Sequence, residues 1–135
     1  MILLLDIGNT NTHIGLADAR HVLKQTAIPT ARWLEGTPRN ALLRFAGRAR
    51  LEGAALCSVV PRITPFVQHG IKRLWHLPCL ELTARTLCGV GIKYPRPETI
   101  GPDRLANAVA VRHHYGAPAI VVDFGTAVTL SLIHI

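Results

Sequence analysis

Two stretches of this chain set a carboxylate, a glycine and hydroxyls together at the end of an apolar run. They are Asp6-Ile7-Gly8-Asn9-Thr10 after residues 1–5, and Asp123-Phe124-Gly125-Thr126 after residues 119–122. An aspartate at a strand end can hold a hydrated magnesium ion through one oxygen, while the glycine lets the backbone approach a ligand closely. The following amides and side chains offer donors to terminal phosphates. Taken alone, the first turn also fits an Asx-type turn in an ordinary hairpin. Its recurrence favours two turns facing one phosphorylated ligand.

A third stretch, YPRPETIGPDR over residues 94–104, ends where a helix is expected to begin. A carboxylate in a first helical turn lies near the positive end of the backbone dipoles, where Asp103 could accept a proton or hydrogen bond from a substrate hydroxyl. The guanidinium of Arg104 could fix an anionic group in a forked pair. The competing reading makes Asp103 a helix-start residue bridged to Arg104 on the surface. No G-x-x-x-x-G-K-[ST] loop occurs, and the Asp-Phe-Gly triplet lacks the glycine-rich loop and H-R-D segment of protein kinases.

The remaining chemistry-bearing residues read as structural. His113 and His114 are adjacent on a helix and are expected to point to different faces, a poor geometry for a shared metal. Ser58 lacks a G-x-S-x-G context, and Trp33 and Trp75 are expected to pack in the core. Cys57, Cys79 and Cys88 form neither an even framework nor a C-x-x-C pair, so buried reduced thiols are expected.

The elements that must position these residues follow from periodicity. Strands are expected over 2–6, 12–18 and 20–28, an antiparallel meander with Val22, Lys24, Thr26 and Ile28 on one face. Thr37 is expected to cap a helix opened by Pro38 and running to about Arg50, with Leu42, Leu43, Phe45 and Ala46 inward. A buried strand over 54–60 precedes a helix over 64–75 with Phe66, Val67, Ile71, Leu74 and Trp75 at helical spacing. A short strand over 79–83, an irregular Gly- and Pro-rich connection over 84–100 and a helix from Gly101-Pro102 to Tyr115-Gly116 come next. Strands over 119–123 and from Val128 onward complete the order. The second Asp-Gly-Thr turn thus restarts the first unit, so the chain is expected to be a fragment whose natural end lies further on.

Composition bounds the class. A hydrophobic fraction of 49% with 17% charged residues implies a folded body. The net charge of +7 comes from scattered residues. The densest group, Arg39, Arg44, Arg48 and Arg50, has no interleaved aromatic platform, so small anionic substrates are expected rather than nucleic acid. No apolar run approaches the roughly 20 residues that span a bilayer, and the start has no basic leader or cleavage site. A soluble cytoplasmic protein without a membrane partner is expected.

Asp6-Ile7-Gly8-Asn9-Thr10, Gly101-Pro102-Asp103-Arg104 and Asp123-Phe124-Gly125-Thr126-Ala127, in that order, resemble the three early motifs of type III pantothenate kinases. These belong to the actin-like superfamily, with sugar and acetate kinases and heat-shock chaperone ATPases. The resemblance covers almost the whole chain. It implies an α/β, actin-like (ribonuclease H-like) fold: a first domain over 1–117, a mixed sheet flanked by helices, and the first hairpin of a second domain over 118–135. It implies ATP-dependent phosphorylation of pantothenate, the opening step of coenzyme A synthesis, by a homodimer using ATP, Mg2+ and a monovalent cation, K+ or NH4+. Asp103 would be the general base. Asp6, Ile7, Gly8, Asn9, Thr10, Asn11, Thr12, His13 and Thr126 would contact ATP, with Asp6 also able to hold Mg2+ through water. Tyr94, Gly101, Pro102, Asp103 and Arg104 would bind pantothenate, and Asp123 the monovalent cation. The fragment by itself is expected to be inactive and prone to aggregate. The alternatives are a non-catalytic nucleotide-binding regulator of the same fold, in which Asp103 would have no role, and a related small-molecule kinase.

Overall fold

The apolar alternation of residues 2–7 builds a strand whose odd residues, Leu3, Leu5 and Ile7, enter a core while Asp6 faces outward. A computed structural model describes residues 1–125 and 128–133. The chain divides into two units, Met1–Glu81 and Leu82–Ile135.

In the first unit, β1 (Ile2–Ile7), β2 (Asn11–Ala17), β3 (Val22–Pro29), β4 (Gly53–Ser58) and β5 (Cys79–Glu81) form one mixed sheet in the order β3-β2-β1-β4-β5. The meander is antiparallel, whereas β4 and β5 run parallel to β1. Parallel neighbours need crossovers. These are supplied by α1 (Arg39–Ala46) and α2 (Thr64–Trp75), so the unit is α/β with a mixed sheet flanked by helices. One sheet face, carrying Leu3, Leu5, Ile14, Leu16 and Leu56, forms the core with Trp33, Leu42, Phe45, Val67 and Ile71. Of the β3 residues expected on one face, only Ile28 is buried, because β3 is an edge strand with little above it.

The helices show where periodicity works and where it fails. α2 has the expected bounds, with proline in its first turn, and buries Thr64, Val67, Gly70 and Ile71 at i, i+3, i+6 and i+7. Phe66 lies off that stripe and is exposed. α1 stops at Ala46 instead of Arg50, because Gly47 turns to φ 58°, ψ −125°, a region that favours glycine. Eight residues bury only Leu42, Phe45 and Ala46, leaving Leu43 partly in solvent. Thr37 does not cap α1. Pro38 holds the cap position, and the Thr37 side chain lies where a Cβ on Gly70 of α2 would come within 2.9 Å of it. Lys24 Nζ donates to the Phe45 carbonyl at 2.7 Å, tying β3 to α1, and Gln68 Nε2 donates to Glu81 Oε2 at 3.0 Å, tying α2 to β5.

In the second unit the irregular connection contains a single 3-10 turn, Pro97–Thr99, before α3 (Pro102–His114). α3 ends where the Tyr115 amide donates to Val111 O and Gly116 turns to φ 85°. β6 (Ala119–Phe124) and β7 (Val128–Ile133) then form an antiparallel hairpin. Two minor expectations need correcting. The His113 and His114 rings do not diverge but meet edge to face, centroids 4.9 Å apart. None of the three cysteines is fully buried, and Cys88 is exposed, since it lies in the irregular connection outside either sheet.

Candidate active site

Both aspartates hold the same place in an antiparallel pair of strands. Asp6 is the fifth residue of a six-residue strand and pairs with His13, while Asp123 is the fifth of six and pairs with Thr129. The recurrence read from the residues is therefore a recurrence of backbone position.

The first turn is fixed from beneath. Gly8 N–H donates to Asn11 O at 3.0 Å, closing the loop, and the Thr30 hydroxyl donates to Gly8 O at 2.7 Å. A Cβ on Gly8 would lie 3.0 Å from Asn11 O, so only glycine closes this loop without displacing it. Thr12 is fully buried and its hydroxyl shares a hydrogen bond with Thr30 at 3.1 Å, and Ile7 is a core residue. These two residues therefore build the turn and turn no side chain to solvent. Asp6, Asn9, Thr10, Asn11 and His13 are exposed. Cys57 Sγ donates to Asp6 Oδ1 at 3.3 Å, from the position on β4 paired with Asp6.

An exposed carboxylate with hydroxyl and amide oxygens is a hard-donor set that fits Mg2+ shared with phosphates and water. Among the described residues no group of three or more His, Cys, Asp or Glu could hold a metal by itself.

The second unit gathers the other motif residues around α3. Gly101 sits at the N-terminal cap of the helix, and a Cβ there would collide with the Asp103 carboxylate. The glycine of G-x-D-R thus leaves the space that the aspartate occupies. Asp103 Oδ1 also accepts the Arg104 amide at 2.8 Å. Arg104 is not a free anion clamp. Its Nε donates to Ser131 Oγ at 3.0 Å and its Nη2 to Leu130 O at 2.9 Å, fastening α3 to β7.

One turn beyond Asp103, Asn107 Nδ2 donates to Asp123 Oδ2 at 2.8 Å, fastening α3 to β6. Asn107 was not foreseen. Its only sequence signal is the i+4 spacing from Asp103. Asp123 is half-buried and keeps its second oxygen available among the described residues, and Thr126 lies outside them.

A cavity of about 720 Å³ opens on the other face of α3, lined by Tyr94, Ile100, Arg104, Leu105, Ala108 and Arg112 among others. Of the expected substrate residues, Tyr94 and Arg104 line it. Gly101, Pro102 and Asp103 shape the start of the helix beside it. Tyr94 is exposed.

The family model described as type III pantothenate kinase matches residues 2–134. This chain belongs to the type III pantothenate kinase family. It is 41% identical over 131 residues to a type III pantothenate kinase of Akkermansia muciniphila, a match covering 97% of this chain and 51% of that protein. It is 37% identical to one of Geobacillus thermodenitrificans, covering 99% and 54%, and 33% identical to one of Frankia casuarinae, covering 98% and 54%. The chain spans about half the length of the curated relatives it matches. Among the described residues no helix is long and apolar enough to cross a membrane.

Proposed function

We propose that the full-length protein phosphorylates pantothenate with ATP to give 4′-phosphopantothenate, the first step of coenzyme A biosynthesis. The single observation that carries this reading is the clasp on α3. Arg104 and Asn107 bind β7 and β6, while Asp103 is held in the first turn of α3 between Gly101, which leaves its carboxylate room, and the Arg104 amide. A non-catalytic nucleotide binder has no use for such a held carboxylate.

In this reading the pantothenate hydroxyl attacks the γ-phosphorus, its proton passes to an Asp103 oxygen, and the bond to the β-phosphate oxygen breaks to release ADP. Phosphoryl transfer asks the protein mainly for positioning and charge neutralisation. The turn from Asp6 to His13 holds the phosphates through exposed Asn9, Thr10, Asn11 and His13 and the backbone about Gly8. Asp6 would hold Mg2+ through water. The Asp123 oxygen that Asn107 does not engage would be the ligand for K+ or NH4+, with Thr126 on the nucleotide. Bound cations supply neutralisation of phosphate charge. The same proposal includes an actin-like first domain over 1–117, a second opening over 118–135, a homodimer and a cytoplasmic location.

The test is Asp103→Asn in the full-length protein. Removing a general base lowers kcat by about 10²- to 10⁴-fold, with pantothenate KM little changed. Unchanged turnover would remove Asp103 from the chemistry.

A further inference from the structure

Resting on the reading of residues 6–13 as the turn that holds ATP, we infer that Thr30 is a positioning residue for the nucleotide, fixing that turn so that its backbone N–H groups face the phosphates. Thr30 is 3% exposed. Its amide donates to Thr10 O at 2.9 Å, its hydroxyl donates to Gly8 O at 2.7 Å, and that hydroxyl lies 3.1 Å from the Thr12 hydroxyl.

A hydroxyl carries one hydrogen. The Thr30 hydrogen is spent on Gly8 O, so Thr12 is the donor in the buried pair, and a single chain of bonds runs from Thr12 through Thr30 to Gly8 O. Each bond in such a chain polarises the next, and the low dielectric makes breaking one costly. The chain has a firm base. Thr30 opens the 3-10 turn Thr30–Trp33 directly after β3, and Trp33, three residues on, is fully buried in the core.

Peptide geometry then sets which groups of the turn face outward. In a trans peptide the carbonyl and the next residue's N–H point in opposite directions. The peptides of the turn are trans, the one cis bond among the described residues being Ala117-Pro118. With the carbonyls of Gly8 and Thr10 drawn to Thr30, the N–H groups of Asn9 and Asn11 are aimed away from it. The Asn9 amide donates to nothing among the described residues. Outward N–H groups in a tight turn are what terminal phosphate oxygens, which only accept, require. A turn released from Thr30 is free to rotate either peptide and present a carbonyl oxygen to the same anion, which repels it.

The competing role is a satisfied core hydroxyl with no bearing on the nucleotide. Thr30→Val and Thr30→Ser in the full-length protein separate the two, with Ile71→Val in the same core as a control that loses packing but no hydrogen bond. Thr30→Val keeps the size of the side chain and the amide bond to Thr10 O, and removes the bond to Gly8 O. It should lower kcat/KM for ATP by about 10- to 100-fold with the pantothenate KM within about twofold. Thr30→Ser should recover most of the loss, and Ile71→Val should lower Tm with the ATP parameters unchanged. A Thr30→Val protein that melts earlier but keeps its kcat/KM for ATP would overturn the inference.

Calorimetric titration with ATP and with adenosine, both with Mg2+, isolates the phosphates. Thr30→Val should weaken ATP by about tenfold and leave adenosine unmoved. Equal weakening of both is a general loosening and overturns the inference, as does a wild type that binds no ATP. A wild type that binds ATP but phosphorylates no pantothenate sinks the kinase activity, while a loss confined to ATP in Thr30→Val still supports the role of Thr30. If Thr30→Val does not fold, hydrogen exchange in the wild type decides: the Asn9 and Asn11 amides should gain protection on addition of ATP with Mg2+, and unchanged exchange at both overturns the inference.

Discussion

Gly101 is the residue whose replacement is most informative about Asp103. An added methyl collides with the carboxylate and must push it aside. Gly101→Ala in the full-length protein should lower kcat by about 10²-fold, the scale of an ångström-sized misplacement, while thermal melting shifts little. Asn107→Leu should act on Asp123 instead, raising the K+ concentration needed for half-maximal activation severalfold. Thiol chemistry gives an independent check at this scale. Burial, and secondarily Glu81, pushes the Cys79 thiol up to about 11, so at pH 8 only about one molecule in a thousand is thiolate there. Exposed Cys88 should therefore react first with a disulfide reagent and Cys79 last, as peptide mapping would show. The aspartates and the G-x-D-R residues were legible in the sequence because their chemistry is local. Asn107 and the tethering of Arg104 were not, because β6 and β7 give those side chains their partners and lie more than ten residues away.

At the scale of elements, local signals and tertiary context divide the work. The bounds of α2 were readable because proline marks its start and an apolar stripe runs its length. The end of α1 was not, since nothing in Arg48 or Arg50 opposes a helix and only the conformation of Gly47 ends it. Gly47→Ala should destabilise the protein by about 1–3 kcal/mol in denaturant unfolding, the cost of a side chain in that region. Leu56→Ala, in β4 at the centre of the core, should cost about 2–5 kcal/mol by the same measurement. The turn between β2 and β3 carries a pH dependence. The amides of Arg20 and then His21 donate to Asp18 and hold its carboxyl below the usual carboxylate value, outweighing a small desolvation effect. A depressed folded value means that the contribution is present above the unfolded value and is lost as acid carries the pH down through the folded one. An NMR titration of Asp18 should show the low midpoint, and Asp18→Asn should weaken the β2–β3 turn at neutral pH but not in strong acid.

At the scale of the whole molecule, exposed apolar side chains gather on the outer face of the β6–β7 hairpin. Ile120, Val122, Phe124, Val128, Leu130 and Leu132 all lie in solvent, with Phe124 80% exposed. The alternation that partly covers one side of each strand leaves the other side bare. Such a patch favours self-association, and a net charge of +7 opposes it only at low salt. Ile120→Thr combined with Leu130→Thr should lower light scattering by the 135-residue chain at raised ionic strength, while unchanged scattering would place the sticky surface elsewhere. The expected order of elements held along the chain. The sheet order β3-β2-β1-β4-β5 did not follow from periodicity alone, because pairing between distant strands is decided by the packed core.

Trp33 is fully buried, and its indole nitrogen has no hydrogen-bond partner among the described residues. It therefore sits in surroundings that do not relax around an excited dipole and should emit to the blue of partly exposed Trp75. Both tryptophans belong to the first unit, while both tyrosines, Tyr94 and Tyr115, belong to the second. Excitation at the red edge of the absorption band therefore reports the meander and its two helices alone. Tyrosine emission reports the cavity unit, so a single cuvette distinguishes the melting of one from the other without any label.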